Sequence, residues 1–223
     1  METVARIRSD FSEKFGIPRQ SGLVPEIRSR IVFEPKFRHP DAVRGIEGFS
    51  HLWLLWLFSE NQPSDGRLTV RPPRLGGNER RGVFATRSPF RPNGIGLSCV
   101  KLESVDYDSP DSPALIVSGA DLLDGSPIVD IKPYLPFTDS HPDALFGFAE
   151  GALSHRLSVT FENGCAEVLN DETKKAVANL LSLDPRPSYQ DDEMRIYGMK
   201  YAGYEIKFTV SGQTLTVISV TPA

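Results

Sequence analysis

Six arginines fall between residues 71 and 96 (Arg71, Arg74, Arg80, Arg81, Arg87 and Arg91), against one acid, Glu79, and no lysine. Pro72, Pro73, Pro89 and Pro92 alternate there with Gly76, Gly77, Gly82, Gly94 and Gly96. Prolines fix φ and glycines release it, so the loop has a set path and a backbone that a ligand can approach. Guanidinium forks on such a path suit phosphates and carboxylates bidentately, as flexible lysines do not. The chain carries a formal net charge of −4, so this local excess is no by-product of composition. An anionic partner is expected at this loop, and a generally nucleic-acid-coating protein is excluded.

Three further polar clusters could do chemistry. Pro18-Arg19-Gln20 sets an arginine and an amide straight after a fixed φ; in isolation it reads as a surface turn. Asp121-Leu122-Leu123-Asp124-Gly125-Ser126-Pro127 has tight-turn chemistry after an apolar run, and alone it reads as a hairpin. Asp130, Lys132 and Tyr134 bring an acid, an amine and a phenol within five residues. In an extended chain they share one face, although Pro133 is expected to bend it. His51 reads as a hydrogen-bonded core histidine, and Trp53, Trp56, Phe84 and Phe90 read as core. There is no P-loop, no dinucleotide glycine motif and no nucleophile elbow. Histidines at 39, 51, 141 and 155 have no metal-ligand spacing, so no metal is expected.

The elements that must position these groups are mostly strands. Short apolar runs cut by turn residues mark Val4–Ile7, Ile31–Phe33, Leu52–Phe58, Val83–Thr86, Leu97–Val105 and Ala114–Leu122. Asp41–Arg44 reads as a brief helix ahead of Gly45. Strands joined by irregular loops favour a closed or nearly closed barrel, which removes exposed edges. A boundary is expected after residue 140, where Pro136 and Pro142 lead away from the barrel. Beyond it Asn170 is a candidate N-cap, and Ala176, Val177, Leu180 and Leu181 form one helical face, ended by Pro185. Tyr204–Val210 and Leu215–Val220 alternate as a hairpin. The expected fold is therefore mainly β: a β-barrel-like domain over 1–140 and a small α+β domain over 141–223.

The 223 residues suffice for one large domain or a domain with an appendage. Cys99 and Cys165 match no metal or disulfide framework, which suits a reducing compartment. The N-terminus has no apolar stretch of signal-peptide length, and the apolar run 49–58 is about half the length that spans a bilayer. A cytoplasmic protein off the membrane is expected.

In order along the chain, FGIPRQSGL (15–23), GFSHLWLLWLF (48–58), VRPPRLGGNERRGVFATRSPFRPNGIG (70–96), DLLDGSPIVDIKPYLPF (121–137) and LDPRPSY (183–189) resemble the TrmO family. That resemblance covers nearly the whole chain. It implies an S-adenosylmethionine-dependent tRNA methyltransferase acting at adenosine 37, with a barrel in place of the Rossmann-like sheet and a cofactor site at or near a homodimer interface. The implied substrate is N6-threonylcarbamoyl-adenosine in the anticodon loop of threonine tRNA. The family's cofactor contacts fall on Pro18, Arg19, Gln20, Ser59, Glu60, Arg87, Leu97, Leu123, Asp124, Gly125 and Ser126. Ser59 stands where the family commonly has histidine, and Gly94 where it commonly has proline.

On that reading Arg19 or Arg87 holds the cofactor's carboxylate, and Glu60 accepts from its ribose or ammonium. Backbone N–H groups of the Asp124–Ser126 turn read its adenine edge. Asp130 is the candidate proton acceptor, with the alternative of a purely structural acid. Tyr134 positions the modified base, and Lys132 orients the threonyl carboxylate or a phosphate. With Phe84 and Phe90 nearby, which are core or else stack a splayed base, Arg71, Arg74, Arg80, Arg81 and Arg91 are the candidate contacts to the tRNA backbone or across the dimer interface. Arg186, between Pro185 and Pro187, joins them or serves as a rigid connector. The competing functions are methylation of another RNA or a small molecule, and a non-enzymatic RNA-binding barrel.

Overall fold

The computed structural model describes residues 1–61, 66–72, 79–152, 155–162, 164–187 and 192–223. The strands in chain order are β1 (Ala5–Ser9), β2 (Arg28–Phe33), β3 (His51–Leu57), β4 (Thr69–Val70), β5 (Arg81–Gly82), β6 (Ile95–Asp106), β7 (Ala114–Ser118) and β8 (Pro127–Pro133), then β9 (Ser158–Phe161), β10 (Tyr197–Tyr201), β11 (Tyr204–Ser211) and β12 (Thr214–Pro222). The α-helices are α1 (Pro136–Asp139) and α2 (Asp171–Ser182). The chain is mainly β, as its alternating apolar runs require. No helix among the described residues is long and apolar enough to cross a membrane.

Six strands close into an antiparallel barrel in the order β1-β2-β7-β6-β3-β8. In β3 the period-two pattern is complete: Leu52, Leu54 and Trp56 point inward, while His51, Trp53, Leu55 and Leu57 point outward and stay half-buried. Trp53, expected in the core, is therefore on the outer wall, because parity leaves it no choice once Leu52 and Leu54 face in. Trp56 lies opposite Gly96 on β6, and its indole N–H donates to the Ser98 hydroxyl at 3.0 Å. The missing side chain at 96 is what makes room for the indole.

A bulge in β8 decides which way the second half of that strand faces. Trp56 pairs with Ile128, but Leu55 pairs with Asp130, leaving Val129 as the extra residue. Ile128 is fully buried in the lumen. Two residues on, Asp130 would face inward as well; the bulge reverses the parity and turns Asp130 and Lys132 outward.

The second sheet has the order β10-β11-β12-β9, antiparallel except for the parallel pair of β12 and β9. Helix α2 packs on it through Ala176, Val177, Leu180 and Leu181, and the Asn170 side chain caps it by accepting from Thr173 N at 2.8 Å. Phe11, Val24 and Ile27 are buried in this second core, not in the barrel's. The chain between β1 and β2 thus belongs physically to both units.

Two expected features differ. Residues 83–85 form a 3-10 turn instead of a strand, with Val83 buried and Phe84 exposed. Phe90 is also exposed, so neither phenylalanine is core. Strands β4, β5, β8, β9 and β10 were not anticipated: β4 and β5 are two residues each, β9 and β10 only four and five, and the bulge breaks the alternation of β8.

Gly96→Ala is predicted to be strongly destabilising, because the added methyl would fall within the Trp56 ring. A loss of about 1–3 kcal/mol, from overpacking, is expected in urea unfolding. Gly82→Ala, which meets open space, serves as the control.

Candidate functional site

The expected cofactor residues come from five separate stretches, and the irregular segment 10–22, which holds the first, gathers the other four. On one side this segment is fastened to the stretch between β7 and β8: Gly22 N donates to Gly119 O at 2.8 Å, and Asp124 N donates to Phe11 O at 2.9 Å. On the other it meets the second sheet, where Ala202 N donates to Asp10 O at 3.2 Å and Lys200 N to a Glu13 carboxylate oxygen at 3.1 Å. Gly16, at φ +90°, lies so close to Met199 that a Cβ would collide with the sulfur. Pro18 is buried next to it. A small depression behind the turn is lined by Ile17, Pro18, Arg19, Leu180, Leu183 and Pro185.

From this backed turn the side chains reach the other clusters. Arg87 Nη1 donates to Gln20 Oε1 at 2.5 Å. Cys99 N donates to the Ser21 hydroxyl at 3.0 Å, drawing in the part of β6 that carries Leu97. Lys14 Nζ donates to the Glu60 carbonyl at 2.6 Å, fixing the corner after β3 where Ser59 and Glu60 are exposed. Arg19 Nη2 donates to Arg186 O at 3.2 Å. Gly94 has φ +56°, which proline cannot adopt, so the path into β6 depends on the glycine.

The Leu123–Ser126 turn adjoins the same segment, but not as anticipated. The N–H groups of Asp124, Gly125 and Ser126 donate to Phe11 O, Ile7 O and Leu123 O, and the Ser126 hydroxyl also turns back to Leu123 O. Adenine recognition by these N–H groups is therefore ruled out in this conformation, because all of them are committed to backbone. What the turn offers outward is an acceptor, the exposed Asp124 carboxylate, which receives Ser9 N at 3.0 Å and has Arg8 at 3.8 Å.

Across the outer wall, Leu97 on β6 stands opposite Leu55 on β3, which stands opposite Asp130 on β8. Two strand spacings put Leu97 about 10 Å from Asp130 on one continuous face. The next rung is Cys99, Trp53 and Lys132. Lys132 Nζ sits 2.8 Å from Asp130 Oδ2, with both side chains substantially exposed. Tyr134 extends the row, its ring 5.7 Å from that of Trp53 and 6.2 Å from that of His51. Leu135 N and Trp53 Nε1 both donate to Asp139 Oδ2, and these bonds, the backbone one foremost, hold that carboxyl below the usual carboxylate range. The Cys99 thiol is pushed up by burial, with Asp139 adding to it.

Among the arginines, Arg71, Arg80 and Arg87 are exposed; Arg80 bonds the Thr69 hydroxyl, and Arg81 pairs with Glu79 at 2.5 Å. Arg91 braces its own loop through Thr86 O at 3.0 Å. Arg74 lies outside the described residues. Arg186 departs from the expected RNA contact. Its side chain is only 10% exposed, and its fork holds both Asp184 oxygens, at 2.9 and 3.0 Å. An arginine so committed is a strut.

Sequence reasoning did not single out the acid at the centre of this arrangement. Asp121 Oδ1 accepts from the Ser98 hydroxyl at 2.5 Å, and that hydroxyl in turn receives Trp56 from the lumen. Burial pushes the Asp121 carboxyl up to about 6, while Ser98, its backbone bonds and the Arg87 guanidinium pull the other way. Only its place at the head of the 121–127 motif hinted at a role.

These features define a class: an antiparallel barrel whose outer wall carries exposed cations next to an arginine-bearing loop. Residues 6–140 match the tRNA-methyltransferase O N-terminal domain, and residues 154–223 match the TrmO C-terminal domain. The chain belongs to the TrmO family. It is 41% identical to the tRNA (adenine(37)-N6)-methyltransferase of Escherichia coli K12 over 99% of this chain and 97% of that one. A Pseudomonas aeruginosa relative, provisionally named an S-adenosylmethionine-dependent methyltransferase, is 42% identical over 88% of this chain and 86% of its own. The crystal structure of TrmO from Pseudomonas aeruginosa superposes with a TM-score of 0.80 at 32% identity, covering 99% of this chain and 96% of that one.

The folded state holds the Asp121 proton more tightly than the unfolded chain does, so this group lowers stability as pH rises through the interval between the two values. Asp121→Asn should therefore gain on the wild type by up to about 3 kcal/mol between about pH 4 and about pH 7. Urea unfolding at each pH reads this; a difference that stays flat across the interval contradicts the buried-acid account.

Proposed function

We propose that this protein transfers a methyl group from S-adenosylmethionine to N6 of threonylcarbamoyl-adenosine at position 37 of threonine tRNA, as a cytoplasmic homodimer. In this reading residues 1–140 form the cofactor-binding barrel domain, and residues 141–223 form a small α+β domain that backs the Pro18–Gln20 turn. Methylation of tRNA adenine 37 at N6 rests on the family and on the names of its members. The modified base and the tRNA identity are the finer part of the proposal. The observation that carries the reading is the convergence of Arg87 and Gln20 at one edge of an outer wall whose far strand bears Asp130 and Lys132.

The side chains present fit the cofactor group by group. Its carboxylate suits the fork of Arg87, which Gln20 orients, or that of Arg19. Its ammonium and ribose suit Glu60, on the corner that Lys14 fixes. The amino edge of its adenine suits the Asp124 carboxylate on the turn that runs from Leu123 to Ser126. Pro18, Ser59 and Leu97 line the remainder, with Leu97 supplying apolar surface that is half exposed. When bound, S-adenosylmethionine supplies an electrophilic methyl group on a sulfonium.

The chain's own part is alignment and proton removal. N6 of a carbamoylated adenine is a weak nucleophile, so holding it in line contributes much of the rate. Tyr134, set by its contact with Trp53, presents a ring to the base. Lys132 offers a cation to the threonyl carboxylate or a neighbouring phosphate, and Asp130 beside it accepts the proton that N6 loses. Arg71, Arg74, Arg80, Arg81 and Arg91 line the approach of the anticodon stem. Arg186 holds the connection beneath Arg19.

Three outcomes are expected. Threonine tRNA from a deletion strain lacks the N6-methylated nucleoside by mass spectrometry, and purified protein restores it; another RNA gaining the methyl group instead would redirect the assignment. Asp130→Asn keeps cofactor affinity in calorimetry but slows single-turnover transfer by about 10²–10⁴-fold, and a near-normal rate removes Asp130 from the base role. tRNA affinity falls steeply with salt, and a flat dependence from low to physiological salt counts against the arginine contacts.

A further inference from the structure

Two large apolar side chains on the arginine loop have no place in either core. Phe84 is 78% exposed and Phe90 is 53% exposed. Neither is a displaced core residue, since the turn that carries Phe84 buries its neighbour Val83 in its stead. The loop also holds both rings out on a fixed backbone. Thr86 Oγ1 donates to Val83 O at 3.0 Å, Phe90 N donates to the Ser88 hydroxyl at 3.2 Å, and Arg91 Nη1 ties back to Thr86 O at 3.0 Å. Between and around the rings stand Arg80, Arg81, Arg87 and Arg91, against one acid, Glu79.

Resting on the tRNA reading above, we propose that Phe84 and Phe90 are stacking platforms for unpaired bases of the anticodon loop next to the methylated adenosine. An adenine whose exocyclic amine must be brought in line with a methyl donor leaves the stack, and its neighbours lose a partner. Exposed aromatic faces replace that partner for any base, while guanidinium groups on the same loop take the adjoining phosphates. Charge selects the occupant. A two-fold contact of this loop with the same loop of a second copy would set four arginines against four like charges, whereas a single-stranded polyanion gains from both the rings and the cations. The loop already presents Arg87 to Gln20, so bases stacked here would lie close to the proposed cofactor residues.

The test uses the full-length protein with threonine tRNA. Phe84→Ala and Phe90→Ala should each weaken tRNA binding about ten-fold. Affinity for S-adenosylmethionine should stay within about two-fold of wild type, and the salt slope should be unchanged. Arg80→Ala should instead lower the slope, which separates stacking from phosphate contact. Phe84→Trp should retain binding and show tRNA-dependent quenching of its emission. Unaltered tRNA affinity in both alanine variants overturns the proposal. So does a shift in sedimentation that accounts for any loss, since the rings would then be a self-association patch. A wild-type protein that neither binds nor methylates tRNA defeats the tRNA reading itself, and the wild type alone reveals this.

Discussion

The structure depends on one irregular stretch of chain, residues 10–22, held between two cores. It forms no strand or helix, so its backbone groups must find partners elsewhere. They find them in the 119–124 stretch that leads into β8 and in the edge of the second sheet. Phe11 goes into the second core while Ile7, four residues earlier, goes into the barrel. The turn at Pro18–Gln20 is thereby fixed relative to both units, with Met199 pressed against Gly16 as a mechanical stop. Everything the turn gathers, from Glu60 through Lys14 to Arg87 through Gln20, inherits its position from that double attachment.

The electrostatics follow the same plan. The deepest acid in the region, Asp121, sits behind the exposed cations and is linked through Ser98 to an indole in the barrel's lumen. A chain of hydrogen bonds thus runs from the lumen of the barrel to a buried carboxyl group. Arg87 stands over a buried acid whose ionisation its own charge favours. The arginine's fork is held by a neutral amide, so its charge remains available to an incoming anion. Asp130 is arranged differently, since its cation is beside it and both are in solvent.

Much of this was legible in the chain. The barrel strands with strict alternation, β3 above all, and the capped helix α2 stand out because one face of each must be apolar. The ordered motifs identified the family. Other features were hidden for physical reasons. Trp53 and the two loop phenylalanines look like core residues in composition, and only parity and local turns decide that they face outward. Asp121 reads as a turn residue because burial is a property of the closed barrel, not of the motif. Arg186 reads as a free cation until Asp184, two residues earlier, is seen to close on it.

The extra residue in β8 has an implication for how such a wall can change over time. Side-chain identity along the strand is open to gradual replacement, and the bulge residue itself can be lost, but length elsewhere is fixed. Losing Val129 would leave Ile128 and Asp130 in regular alternation, with the acid and amine at 130 and 132 still outward, whereas losing Ile131 would set Lys132 opposite Leu54, facing the lumen. Chains descended from this architecture can therefore shed the bulge but must otherwise keep count along the strand, much as a reading frame constrains a coding sequence.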